Sequence, residues 1–154
     1  LTIDEFLDWS LPFLTKAGVV SGSADEIALV KLALPLIQER IIMLSEVPAM
    51  LKFLFVKNFA VEADSVAKIT DDASKQVLER SLKELEPLAT WTHESIEAAL
   101  RSSLIEEMGL KPRIAFGAVR IATTGSTISP PLFESMELLG KEASLARIRA
   151  GIKL

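Results

Sequence analysis

Apolar residues recur at spacings of three and four along most of the chain, the pattern of helices that bury one face. Ile3, Phe6, Leu7, Leu11 and Leu14 form the first stripe, opened by a Thr2-x-x-Glu5 capping box and broken or kinked at Pro12. A second box, Ser23-x-x-Glu26, precedes Ile27, Val30 and Leu34. Pro35 suits the first turn of a further helix carrying Leu36, Ile37, Ile41 and Leu44. Ser45 and Pro48 then open a helix bearing Leu51, Leu54 and Phe55. Between Lys57 and Asp72 the period fades into small and polar residues, which places a seam near Glu62.

Beyond the seam, Asp71 is positioned to cap a helix with Ala73, Val77, Leu78, Leu82 and Leu85 inward, ended by Pro87. Thr92 caps another, carrying Ile96, Leu100 and Leu104, with Gly109 as its stop. Pro112 starts a helix through Arg120 that ends before Gly125. Ser129-Pro130-Pro131 reads as a cap and first-turn prolines ahead of Leu132, Phe133, Met136 and Leu139. Gly140 separates this from a last helix with Leu145 and Ile148 inward. No run of strand length shows period two. The expected fold is all-α, as two consecutive small helical subdomains, 1–62 and 63–154, sharing a seam.

Composition narrows the chemistry. With 49% apolar and 25% charged residues, a chain of 154 residues can bury a core without a disulfide or metal staple. It has no Cys, which excludes thiol catalysis and thiolate metal sites. The longest uncharged run, Ile121 to Phe133, is rich in Thr, Ser and Pro, so no membrane helix is expected, and a cytoplasmic location fits. The chain opens at Leu1 rather than Met and reads as a piece of a longer protein.

Net charge is −4, too acidic for a globally basic nucleic-acid binder. The charge is uneven, however. Residues 1–108 hold 10 basic and 18 acidic side chains, whereas residues 109–154 hold 7 basic and 3 acidic. A basic C-terminal third on an acidic chain points to a local anionic partner. The one histidine, His93, reads as a surface or capping-region residue without the second member a triad or metal site needs. No glycine motif of the phosphate-cradling kind occurs. Glu106-Glu107 and Asp71-Asp72 are neighbours, and neighbours on a helix do not face each other. Taken alone, the residues describe a non-catalytic helical binding module.

Two stretches say more. KPRIAFGAVRIATTGSTISPPLFESMELLGKEASLARI, from Lys111 to Ile148, closely resembles the C-terminal signature of bacterial glutamyl-tRNA synthetases. LPLIQERIIMLSEVPAMLKFLF, from Leu34 to Phe55, is similar to that family's helix pair with a Glu-Arg step and an apolar end. The family's class I catalytic motifs, HIGH and KMSKS, do not occur here. The resemblance implies the anticodon-binding region alone, all-helical and in two subdomains. It implies tRNA(Glu) as the partner, a monomeric parent and no cofactor in this part. ATP and Mg2+ are expected in the parent, where a catalytic domain of the same chain would use them to form glutamyl-adenylate.

By the same resemblance Arg40 falls on the arginine that reads the third anticodon base, and Arg120 on a second anticodon-contacting arginine. Ser129, Pro130 and Leu132 lie on the segment that meets the bases, the last two as apolar faces for unstacked rings. Lys111 and Arg113 are nearby cations for phosphate. Arginine fits its task because it only donates, in a planar fork. Cytosine offers two acceptors, whereas guanine turns donors toward it. A second reading makes the chain a helical protein-interaction or regulatory domain, with Leu54, Phe55 and Phe59 as its contact face.

Overall fold

A computed structural model describes residues 1–154 and contains helices and turns but no strand. Local signals explain most helix starts. Thr2 Oγ1 accepts from the Glu5 N–H and the Glu5 carboxylate accepts from the Thr2 N–H, which opens α1 (Ile3–Lys16). Ser23 and Glu26 do the same for α2 (Ala24–Ile37). Each box satisfies donors that a helix start would otherwise leave unpaired.

The chain parts into two compact units, Leu1–Asn58 and Phe59–Leu154. In the first, α1 and α2 pack on each other and on the short α3 (Val47–Leu51) around Phe6, Leu14, Val30, Leu34, Ile37 and Leu51. Each such side chain contributes about 1.5–3 kcal/mol on burial. Neither Pro12 nor Pro35 ends its helix here. Pro12 lies inside α1, which continues through it while Thr15 Oγ1 donates to the Leu11 carbonyl at 2.9 Å. Pro35 lies in the last turn of α2 rather than starting a new helix. Ala33, Leu34 and Ile37 are fully buried, and that packing outweighs the missing N–H. The helix expected over Ile41 and Leu44 does not form. The Glu46 carboxylate takes the Ile42 and Met43 N–H groups instead, at 2.7 and 2.6 Å, and holds an extended loop.

The second unit contains α4 (Ala63–Val66), α5 (Asp72–Leu85), α6 (His93–Leu100), α7 (Pro112–Thr124), α8 (Leu132–Leu139) and α9 (Lys141–Ile152). Helix α6 runs on into a π-helical segment, Arg101–Glu107, before Gly109. Helix α5 packs along α7 and α9, and α6 lies on α8. Gly151 lets α9 approach closely, since a Cβ there would stand 3.2 Å from Ala122 Cβ and 3.3 Å from Leu78 Cδ1. Glu62, where the sequence suggests the seam, donates its N–H to the Gly125 carbonyl inside this unit. The division itself falls between Asn58 and Phe59.

Candidate nucleic-acid interface

Helix α7 organises the second unit's polar face. Pro112 occupies its first turn, and Gly125 ends it in the left-handed conformation at φ 85°. Arg113, Gly117 and Arg120 stand at i, i+4 and i+7, so they share one side of the helix. That side borders a groove of about 500 Å³, which Lys68, Ser74 and Thr127 also line. The groove has three cations and no carboxylate in its wall. Lys68 reaches it from the turn after α4, and its carbonyl accepts from Ser74 Oγ at the start of α5.

Arg120 is fixed by the segment after α7. Its Nε donates to Ser129 Oγ at 3.0 Å, and Ser129 is itself buried. Ser129 is therefore not the helix cap that its sequence context suggests. The cap position of α8 belongs to Pro131, whose carbonyl accepts from the Ser135 N–H. Pro130 is buried and Leu132, only 3% exposed, belongs to the core. Neither offers the open apolar face expected of it. The apolar side chain that this segment does expose is Ile128, at 73%.

The basic C-terminal third is less available than its count suggests. Arg147 lies over the Phe59 ring at 3.9 Å and donates to the Thr123 carbonyl, and burial lowers its pKa to about 10. Arg149 pairs with Glu86, and Lys141 donates to the Leu88 carbonyl. The exposed positive charge along α7 is that of Arg113, with Lys111 at the helix cap just outside the groove. Lys68 joins it, a residue the sequence pattern gave no reason to single out. The half-buried Phe59 ring has one face covered by Arg147.

In the first unit Arg40 is exposed at the end of the turn after α2, its N–H bonded to the Ile37 carbonyl. Beside it in sequence, Ile42 and Met43 are 94% and 61% exposed on the loop that Glu46 holds. Exposed apolar side chains on a tethered loop next to an arginine suit the face of an unstacked base.

His93 opens α6 and is tied to α8, donating its N–H to Glu137 Oε1 at 3.0 Å. Its Nδ1 lies 3.0 Å from Glu94 and 3.4 Å from Glu137. These three side chains bring metal-type donor atoms within 4.8 Å of one another, and their mutual hydrogen bonds and ion pairs account for that approach.

A family model described as "Anticodon binding domain" matches residues 5–152. The glutamate–tRNA ligase of Saccharopolyspora erythraea is 46% identical over 153 residues, 97% of this chain and 30% of that protein. The one from Nocardioides sp. is 45% identical over 156 residues, 99% of this chain and 32% of that protein. Among solved structures, a glutamate tRNA ligase from Elizabethkingia meningosepticum, in complex with its amino acid, superposes with a TM-score of 0.76 at 19% identity. The match covers 99% of this chain and 29% of that one, and it shows a shared fold. The chain spans about 30% of the length of the curated relatives it matches. No helix is long and apolar enough to cross a membrane.

Proposed function

From the premise that the chain belongs to the anticodon binding domain family, we propose that it reads the anticodon of tRNA(Glu) for a glutamate–tRNA ligase. The likeness of nearly all of this chain to about 30% of such ligases carries this reading. The cation-lined face of α7 and the exposed Arg40 loop support it.

Arg40 donates to the third anticodon base, with Ile42 and Met43 as the apolar surface beside it. A cytosine there accepts two bonds, while a guanine leaves a desolvated donor unpaired. One unsatisfied group costs roughly 1–3 kcal/mol, or about 5- to 150-fold in discrimination. Arg120 takes a second base, oriented by Ser129. Pro130 and Leu132 act by anchoring the loop rather than by meeting the bases. Arg113 and Lys111 take phosphate.

The two units serve as consecutive anticodon-binding subdomains of a monomeric, cytoplasmic parent. Glutamate activation with ATP and Mg2+ belongs to that parent's catalytic domain. Gly109, Gly125 and Gly140 stand at helix ends and Gly151 at a close packing contact.

The test is binding of an anticodon stem-loop of tRNA(Glu) against one with a scrambled loop, followed by anisotropy. The cognate RNA should bind more tightly, with a log–log salt slope of about −1.5 to −3 for two to four phosphate contacts. Equal binding of the two RNAs would refute the reading, as would a flat salt response.

A further inference from the structure

The groove on α7 holds a glycine that the fold does not require. Glycine is the poorest helix former after proline, yet Gly117 lies well inside α7. Its φ is not positive, so no special backbone conformation calls for it. A Cβ built there meets nothing within 4 Å, so no neighbour excludes a side chain. Gly125 and Gly151 differ, because a Cβ on either would press on adjacent atoms at 3.2 Å. What Gly117 does provide is an open floor between Arg113 and Arg120 in the cation-lined groove.

We infer that this groove is a binding site for one unstacked nucleotide of a single-stranded RNA loop. Its base lies over the bare backbone at Gly117, and its phosphate is held by Arg113 and Lys68. The inference rests on the anticodon reading above and adds Gly117, Lys68 and Ser74 to the residues that carry it. A space of about 500 Å³ accommodates a single nucleotide and not a duplex. Ile114, 56% exposed and one turn before Gly117, gives the base an apolar edge, and the Ser74 hydroxyl, which donates to the Lys68 carbonyl, can accept a bond. Three cations in the wall, against the one carboxylate of Asp71 that interacts with the Ser74 hydroxyl beside it, match a phosphodiester rather than a free cationic solute. The Ser129 bond to Arg120 Nε holds the guanidinium plane at the groove's edge, where it can stack or donate.

The test uses the 154-residue chain and an anticodon stem-loop RNA at about 50 mM salt, with anisotropy as the readout. A parallel series replaces each loop nucleotide in turn by an abasic one. Gly117→Ala should melt at or above the wild-type temperature and bind the intact loop at least about fivefold more weakly. Gly117→Leu should bind more weakly still. One abasic RNA should lose the same affinity with the wild type and lose nothing further with Gly117→Ala, the coupling expected of groups in contact. Lys68→Ala should weaken binding to the whole series and make the salt slope shallower by about 0.7. If both Gly117 variants bind the intact loop as the wild type does, while Arg120→Ala binds weakly, the groove is not the site and the anticodon reading stands without it. If the wild type binds no stem-loop RNA, both fall together.

Discussion

Arg120 Nε donates to Ser129 Oγ at 3.0 Å, a bond that ties α7 to the segment leading into α8. It makes Ser129 a positioning residue for Arg120. Ser129→Ala leaves the partly buried Nε with one fewer acceptor, which costs about 1 kcal/mol of stability and roughly fivefold in RNA affinity. Arg120→Ala should weaken cognate binding more, because it removes the group proposed to meet the base. Melting curves and RNA titrations of both variants check this. A double variant whose affinity loss is the sum of the two single losses would mean that Ser129 contacts RNA independently of Arg120.

Much of this was legible in the sequence where the signal is local. Thr2 and Ser23 announce their helices through boxes that the structure reproduces, and Thr92 caps its helix as expected. Gly109, Gly125 and Gly140 sit at positive φ where the periods end. The prolines were harder, because a proline's effect depends on whether packing holds the helix around it. Leu34 and Ile37, fully buried on either side of Pro35, do so. The groove could not be read from the sequence. Lys68 and Ser74 come to it from segments distant in sequence from Arg113, and no spacing rule links them. The burial of Leu132 was also hidden, since an apolar residue beside two prolines suits a core and a recognition surface equally.

Five donors converge on the Glu26 carboxylate from Ser21, Gly22 and Ser23. The Ser21 hydroxyl, followed by the Ser23 and Ser21 N–H groups, lowers its pKa from 4.5 to about 2. Between these values the unfolded chain binds the proton and the folded one does not. The stability that Glu26 contributes is therefore complete above pH 4.5 and is lost as the pH falls toward about 2. Glu26→Gln should lower the melting temperature at neutral pH and flatten its decline in acid. An acid limb as steep as that of the wild type would contradict the assignment.

His93 should titrate above its ordinary 6.5. Burial is the largest single influence and opposes the charge. The Glu137 hydrogen bond, together with the Glu94, Glu137 and Glu134 carboxylates, outweighs it. Its contribution is fully present below pH 6.5 and disappears as the pH rises through the raised value. With one histidine in the chain, its ring proton resonance reports the midpoint directly. Glu137→Gln should bring that midpoint down.

Glu46 holds the Ile42–Met43 loop through two N–H groups, and those bonds, Met43 first, lower its pKa. Glu46→Ala should speed amide exchange at Ile42 and Met43 and weaken RNA binding severalfold, with the α1–α2 packing intact. The affinity should also fall in acid as the carboxylate protonates. Unchanged exchange at both amides would show that the loop is held by other means.

Arg40→Gln is the sharpest test of specificity. Glutamine keeps a long polar side chain but offers both a donor and an acceptor, so it can satisfy cytosine or guanine. Arginine only donates and favours cytosine, the third base of glutamate anticodons, over the guanine of glutamine anticodons. Placed in the full-length ligase, Arg40→Gln should lower the preference for glutamate over glutamine tRNA, read as the ratio of kcat/KM. The expected loss lies within the roughly 5- to 150-fold that one unsatisfied group can supply. Stability should change little, because Arg40 is exposed beyond the end of α2. Ile42→Ser, in contrast, should weaken both tRNAs together, since an apolar face does not distinguish bases by their edges. An unchanged kcat/KM ratio in a folded Arg40→Gln enzyme would remove Arg40 from third-base recognition. A wild-type enzyme that already charges both tRNAs equally would show that Arg40 alone does not filter them.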